Sequence, residues 1–149
     1  MSHTLQDLTE LLLNAAKKSG ADDADAMAIQ GQSLSINVRG GQLEQAERAE
    51  GIDIGLRVLI GQRQASVSAS DINASTISEM AERAVAMANE APIDPYIGLA
   101  DCDALAQSWD VAALELCDPT PEPSPDALQN DAEQAEQAAL GATGISQVE

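Results

Sequence analysis

The stretch Ile52-Asp53-Ile54-Gly55-Leu56-Arg57-Val58-Leu59-Ile60 decides the fold, because Ile52, Ile54, Leu56, Val58 and Ile60 fall on alternate positions. In an extended chain that spacing gathers the aliphatic side chains on one face. Upstream, Ser33-Leu34-Ser35-Ile36-Asn37-Val38-Arg39 alternates in the same way. Downstream, Gln64 to Ser70 places Ala65, Val67 and Ala69 between small polar residues, and Ala26 to Gln30 supplies a weaker first strand. Glycines at Gly31, Gly40-Gly41, Gly51 and Gly61 mark short connections. Glycine-bearing two-residue loops favour hairpins, since the primed turns need positive φ. The pattern predicts an antiparallel meander of about five strands, aliphatic on one face and polar on the other.

Leu43 to Glu50 pulls against this reading, because its residues favour helix and Leu43, Ala46 and Ala49 fit a helical stripe. Its short length and its place between two hairpin signals predict a strand instead.

Two helices flank the meander. Thr4 and Asp7 have capping-box spacing, Leu5, Leu8, Leu11, Leu12, Ala15 and Ala16 recur at helical intervals, and Lys17, Lys18 and Gly20 suit a helix end. Thr76 and Glu79 repeat the capping-box spacing before the stripe Ile77, Met80, Ala81, Ala84, Val85, Met87, Ala88 and Ala91, which Pro92 stops. The fold class is α+β, with both helices packed on the aliphatic sheet face.

Beyond Pro92 the chain becomes irregular, with at most a short helical turn near Ala104 to Ala113, a stretch that holds Trp109. Pro119, Pro121, Pro123 and Pro125 recur at every second residue, the pattern of a stiff linker. Ser124-Pro125-Asp126 starts a helix that runs to Leu140 before Gly141, with a thin stripe of Leu128, Ala132, Ala135 and Ala139. Gly144 to Glu149 reads as the beginning of a strand. The expected organisation is an α+β domain over 1–91, an irregular and proline-rich linker over 92–123, and a helix and strand start over 124–149 leading toward a C-terminal domain outside a fragment.

Net charge is −18, and the seven basic residues (Lys17, Lys18, Arg39, Arg48, Arg57, Arg63 and Arg83) all precede residue 84. Such acidity argues against direct binding of nucleic acid or of an anionic membrane surface. The acidic last third is either solvated surface or a docking face for a basic partner. No run opens the chain as a signal peptide or is long enough to span a bilayer, so the expected location is the cytoplasm. With no Phe, one Trp and one Tyr, the core must be aliphatic and rich in alanine.

Chemistry is sparse. His3 is the only histidine, so no HExxH-type zinc motif and no histidine-based triad can form. Cys102 and Cys117 match neither a redox CxxC nor a zinc-knuckle spacing and read as buried or half-exposed free thiols. No phosphate-binding glycine loop is present. Arg39, Arg57 and Arg63 either line an anion site or pair with Asp53, Glu44 and Glu47 on neighbouring strands. No catalytic, cofactor-binding or metal-binding residue is assigned.

Taken in order, Gly20-Ala21-Asp22-Asp23-Ala24-Asp25, Ser33 to Glu44 and Gly51 to Val58 resemble the opening domain of the TldD/PmbA family. Arg63 to Asp71, the helix end Ala84 to Ala88, and Ala91-Pro92-Ile93-Asp94-Pro95-Tyr96-Ile97-Gly98-Leu99-Ala100-Asp101 resemble its PmbA branch, also called TldE. That resemblance implies a modulator-of-gyrase description and a place in a TldD/TldE heterodimer or a homodimer. It also implies a zinc peptidase complex acting on unstructured peptides, whose helical HExxxH motif and further Cys lie in the later part of the TldD-type subunit. The expected role of this chain is non-catalytic, shaping the chamber and the dimer, with zinc only in the partner. The alternative is an acidic protein-interaction module unconnected with proteolysis.

Overall fold

A computed structural model describes residues 4–108, 110, 112–116 and 118–148. The readings at His3, Trp109, Cys117 and Glu149 lie outside the described residues. In chain order the elements are α1 (Leu5–Ser19), β1 (Asp23–Arg39), β2 (Gln42–Ile60), β3 (Arg63–Ala69), α2 (Ala74–Glu90), a 3₁₀ turn at Cys102–Ala104, and α3 (Pro125–Leu140). The strands form one antiparallel sheet in the order β1-β2-β3.

The class is α+β as expected, but the sheet has three strands instead of about five. Residues 26–30 and 33–39 are one strand, and 42–50 continues directly into 52–60. Gly31 and Gly51 lie inside strands, and neither takes a positive φ. A primed turn needs positive φ at one or two central positions, and both of these glycines stay in the extended run of a strand. Gly40-Gly41 supplies both positions, with φ of 62° and 70°, and there the chain reverses. Leu43 to Glu50 is strand, because pairing with β1 outweighs its helical propensity.

Two compact units emerge, Met1–Gly31 with Gly51–Ala106, and Gln32–Glu50 with Gln107–Glu149. In the first, α1 opens on a capping box: the Asp7 N–H donates to Thr4 Oγ1 at 3.1 Å, and the Thr4 N–H donates to Asp7 Oδ2 at 2.8 Å. It closes in a Schellman motif, with left-handed Gly20 (φ 100°) bonded to the Lys17 carbonyl and Ala21 bonded to the Ala16 carbonyl. β2 and β3 pair from Ile54↔Ala69 to Ile60↔Arg63. Leu8, Leu12 and Ala16 of α1, Ile54, Leu56 and Val58 of β2, and Ile77, Met80, Ala81, Ala84 and Ala88 of α2 form the buried core. Ala24, Ala26, Ala28, Ala65, Val67 and Ala69 pack around it, so both helices cover one sheet face.

Two local expectations fail. No Thr76–Glu79 capping box forms: α2 starts at Ala74, and the Asp71 carboxylate accepts from the Thr76 hydroxyl at 2.7 Å and from the Asn73 N–H at 3.0 Å. The N-cap position is Asn73, so Thr76 lies inside the first turn and is not placed to cap. Residues 144–148 form no strand, and the Ile145 N–H closes a turn onto the Ala142 carbonyl at 3.3 Å.

These contacts set two expectations. Leu12→Ala removes a fully buried side chain and should lower unfolding stability by about 2–5 kcal/mol in urea titration. The Thr76 hydroxyl, then the Asn73 amide, hold the Asp71 carboxyl below its ordinary range. Their stabilisation of the α2 start is therefore present above the unfolded-state pKa and is lost as pH falls through the lowered one. Carboxyl ¹³C titration of Thr76→Val should show the Asp71 midpoint moving upward.

Candidate functional site

In the second unit the Gly40-Gly41 turn faces a side chain on α3. Gly40 N–H donates to Glu136 Oε1 and Gly41 N–H to Glu136 Oε2, each at 2.7 Å. Glu136 is 5% exposed, and it is the one buried polar or charged residue among those described. α3 reaches this position as its sequence predicts, with Ser124 Oγ accepting from the Ala127 N–H and Pro125 opening the first turn. The clasp was not read from the sequence. Helical spacing puts Glu136 on the same thin stripe as Ala132, but it does not point to partners 96 and 95 positions away.

Below the turn, the ribbon carries polar cross-links. Arg39 Nη1 pairs with Glu44 Oε1 at 3.3 Å, as expected for adjacent strands. Asn37 Nδ2 donates to Gln45 at 3.4 Å, and Gln45 Nε2 donates to Glu47 at 3.4 Å, so Glu47 receives an amide and not the expected arginine. Arg48 donates to Glu50 at 2.8 Å and lies 3.8 Å from Glu122, which also accepts from Gln32 Nε2 at 3.1 Å. Glu50, then Glu122, push the Arg48 guanidinium pKa up. The proline-rich segment is thus tied to the ribbon through Glu122. Ile36, Asn37, Val38, Glu44, Ala132, Ala135, Glu136 and Val148 line a concavity of about 460 Å³.

Every residue from Gln42 to Glu50 is exposed, and β3 pairs with β2 only from Ile54 onward. One edge of β2 over Gln42–Asp53 therefore has no strand partner among the described residues. Such an edge offers main-chain donors and acceptors to another extended chain.

The first unit has an open sheet face of its own. Arg57 grips Asp25, with Nε at 3.1 Å from both carboxylate oxygens and a closer Nη2–Oδ2 contact, and Gln64 accepts from Nη1 at 3.5 Å. The Asp25 hydrogen bond drives the Arg57 pKa up. Asp53, expected to pair with an arginine, instead accepts from the Ser70 hydroxyl at 2.7 Å, and Arg63 donates to the Asn89 carbonyl at 2.5 Å. Arg57 thus meets both oxygens of Asp25, a bidentate pair. Met27 and Ile29 are exposed, and Met27, Gly55, Ser66 and Ser68 help to line a shallow concavity of about 530 Å³.

Among the described residues no three His, Cys, Asp or Glu side chains converge as a metal site requires, so they do not fit a hydrolytic zinc ion. Cys102 is a free thiol and is exposed, not buried or half-buried as expected, because its 3₁₀ turn buries no residue. No described helix is long and apolar enough to cross a membrane.

The geometry can be set beside known proteins. Residues 24–88 match the family model described as PmbA/TldA metallopeptidase domain 1. The chain is 33% identical over 138 residues to the Metalloprotease PmbA homolog of Haemophilus influenzae, covering 93% of this chain and 30% of that protein. Against Metalloprotease PmbA of Escherichia coli O157:H7 it is 33% identical over 134 residues, covering 90% and 28%. Among solved structures it superposes on a candidate modulator of DNA gyrase from Bacteroides thetaiotaomicron with TM-score 0.76 and 18% identity, covering 97% of this chain and 33% of that one. TldE from Thermococcus kodakarensis gives TM-score 0.68 and 17% identity, covering 89% and 29%. The chain therefore spans about 30% of the length of the curated relatives it matches.

Glu136→Ala is expected to cost about 1–3 kcal/mol of local stability by freeing two N–H groups from a buried carboxylate. Amide exchange should quicken in α3 and at Gly40 and Gly41, while the Ile54–Ile60 amides keep their protection.

Proposed function

This chain belongs to the PmbA/TldD metallopeptidase family through its first domain, and on that premise we propose that it is a non-catalytic part of a peptidase assembly. It serves as the N-terminal region of a PmbA/TldE-type subunit, shaping the chamber and the dimer for a zinc ion held by a TldD-type partner. The reading is carried by the match of 93% of the chain to 30% of a relative named as a metalloprotease, alongside described residues that fit no zinc ligand set. Peptide enters extended and pairs with the free edge of β2 along Gln42 to Glu50. Main-chain pairing suits a substrate class defined by lack of structure, because it is blind to side chains.

Metal analysis separates this reading from a self-sufficient enzyme. The purified chain is expected to hold only substoichiometric zinc and to turn over no peptide. Co-expression of the full-length subunit with a TldD-type subunit is expected to give a zinc-bearing complex that cleaves unfolded peptides. Stoichiometric, tightly held zinc in this chain alone overturns the proposal.

The edge has its own test. Along a strand, successive N–H groups point to opposite edges, so Gln45→Pro and Ala46→Pro remove one donor from each side. One of the pair should disrupt the ribbon, visible by circular dichroism. The other should leave it folded and slow cleavage by the assembled complex about tenfold, the value of one or two hydrogen bonds at about 1 kcal/mol each. Unchanged cleavage with both variants rejects the edge as a peptide guide.

A further inference from the structure

Glu136 satisfies a buried carboxylate with main-chain donors from a turn, and that arrangement describes a binding site as well as a clasp. The central N–H groups of a two-residue hairpin are left over from the strand ladder. Here φ values of 62° and 70° turn both toward one carboxylate, and each oxygen takes one N–H at 2.7 Å. Such lengths are those of charge-assisted bonds. Both glycines are exposed, and a Cβ built on either meets nothing within 4 Å. The present occupant has little else to hold it: Glu136 is the only buried residue of α3, and Leu128, Gln129, Ala132, Glu133 and Ala139 are half-buried.

We propose that the Gly40-Gly41 turn is a carboxylate-binding site, filled in cis by Glu136, and that the external ligand it takes is the C-terminal carboxylate of an extended peptide. The unpartnered edge of β2 begins at Gln42, next to the turn, so a peptide paired along that edge brings its terminus to these two N–H groups. Backbone N–H pairs are a recurrent means of capturing a chain-terminal carboxylate. Assigning the ligand to a peptide rests on the peptidase reading above; the existence of a carboxylate site does not. In cis, Glu136 acts at an effective concentration in the millimolar range, so it gates the site without sealing it.

The test follows the Gly40 and Gly41 amide resonances of ¹⁵N-labelled chain. In Glu136→Ala, acetyl-Ala-Ala with a free carboxylate should move both resonances saturably, whereas acetyl-Ala-Ala-amide should not. In the parent chain the same titration should need roughly tenfold more ligand, because Glu136 competes. If Glu136→Ala loses its hairpin cross-strand NOEs, Glu136→Gln keeps the side chain's length, removes its charge and carries the same titration. No saturable response in a variant with an intact hairpin overturns the site. An equal response in parent and variant overturns occupancy by Glu136. Equal binding of acetyl-glutamate-amide, whose carboxylate is on the side chain, overturns the assignment to a chain terminus. These shifts are read without a partner or zinc, so failure of the peptidase reading shows separately, in the metal and cleavage assays.

Discussion

The first unit depends on the burial of one face of β2. Ile54, Leu56 and Val58 are almost wholly removed from water, and every other core contribution is arranged around them. No aromatic ring is among the described core residues, and the helices pack through alanine at Ala16, Ala81, Ala84 and Ala88. Apolar burial stabilises by about 25 cal/mol per Å², and a core of small groups gathers that area from many contacts, not from a few large anchors. The cost of a single enlargement should accordingly be high, since a close-packed alanine seam has nowhere to put an added methyl group.

The second unit is held on a different principle. Its ribbon is exposed along Gln42–Glu50, and its helix buries a carboxylate where the first unit buries leucine. Hydrogen bonds and charge take the place of apolar area: Glu136 on the turn, and Glu122 on Gln32 and Arg48. Such contacts have direction and a fixed number of partners. They specify one arrangement sharply and yield when a better-placed competitor arrives.

Much of this could be read from residues alone. Alternation over Ile52–Ile60 and the helical spacing of Leu8, Leu12 and Ala16 and of Ile77, Met80, Ala81, Ala84 and Ala88 correspond to observed burial, whereas Leu5, Leu11 and Met87 at the margins of those stripes are exposed. The start of α3 follows from Ser124-Pro125-Asp126 for the same local reason. Strand number is not legible from glycine alone: Gly31-Gln32 runs through β1 and Gly61-Gln62 turns the chain between β2 and β3, although the same residue follows each glycine. The clasp stayed hidden because it joins residues separated by 96 and 95 positions, and no local period encodes such a contact. Arg57 illustrates a third kind of difficulty: the expected acids were Asp53, Glu44 and Glu47, and its partner Asp25 lies 32 positions away.

The aliphatic core also determines how the molecule can be watched. Tyr96 is 95% exposed, and each core side chain is aliphatic or the thioether of Met80. Tyrosine emission is therefore nearly blind to loosening of the first unit. Methyl resonances of Leu8, Leu12, Ile54 and Val58 are the natural optics of this fold.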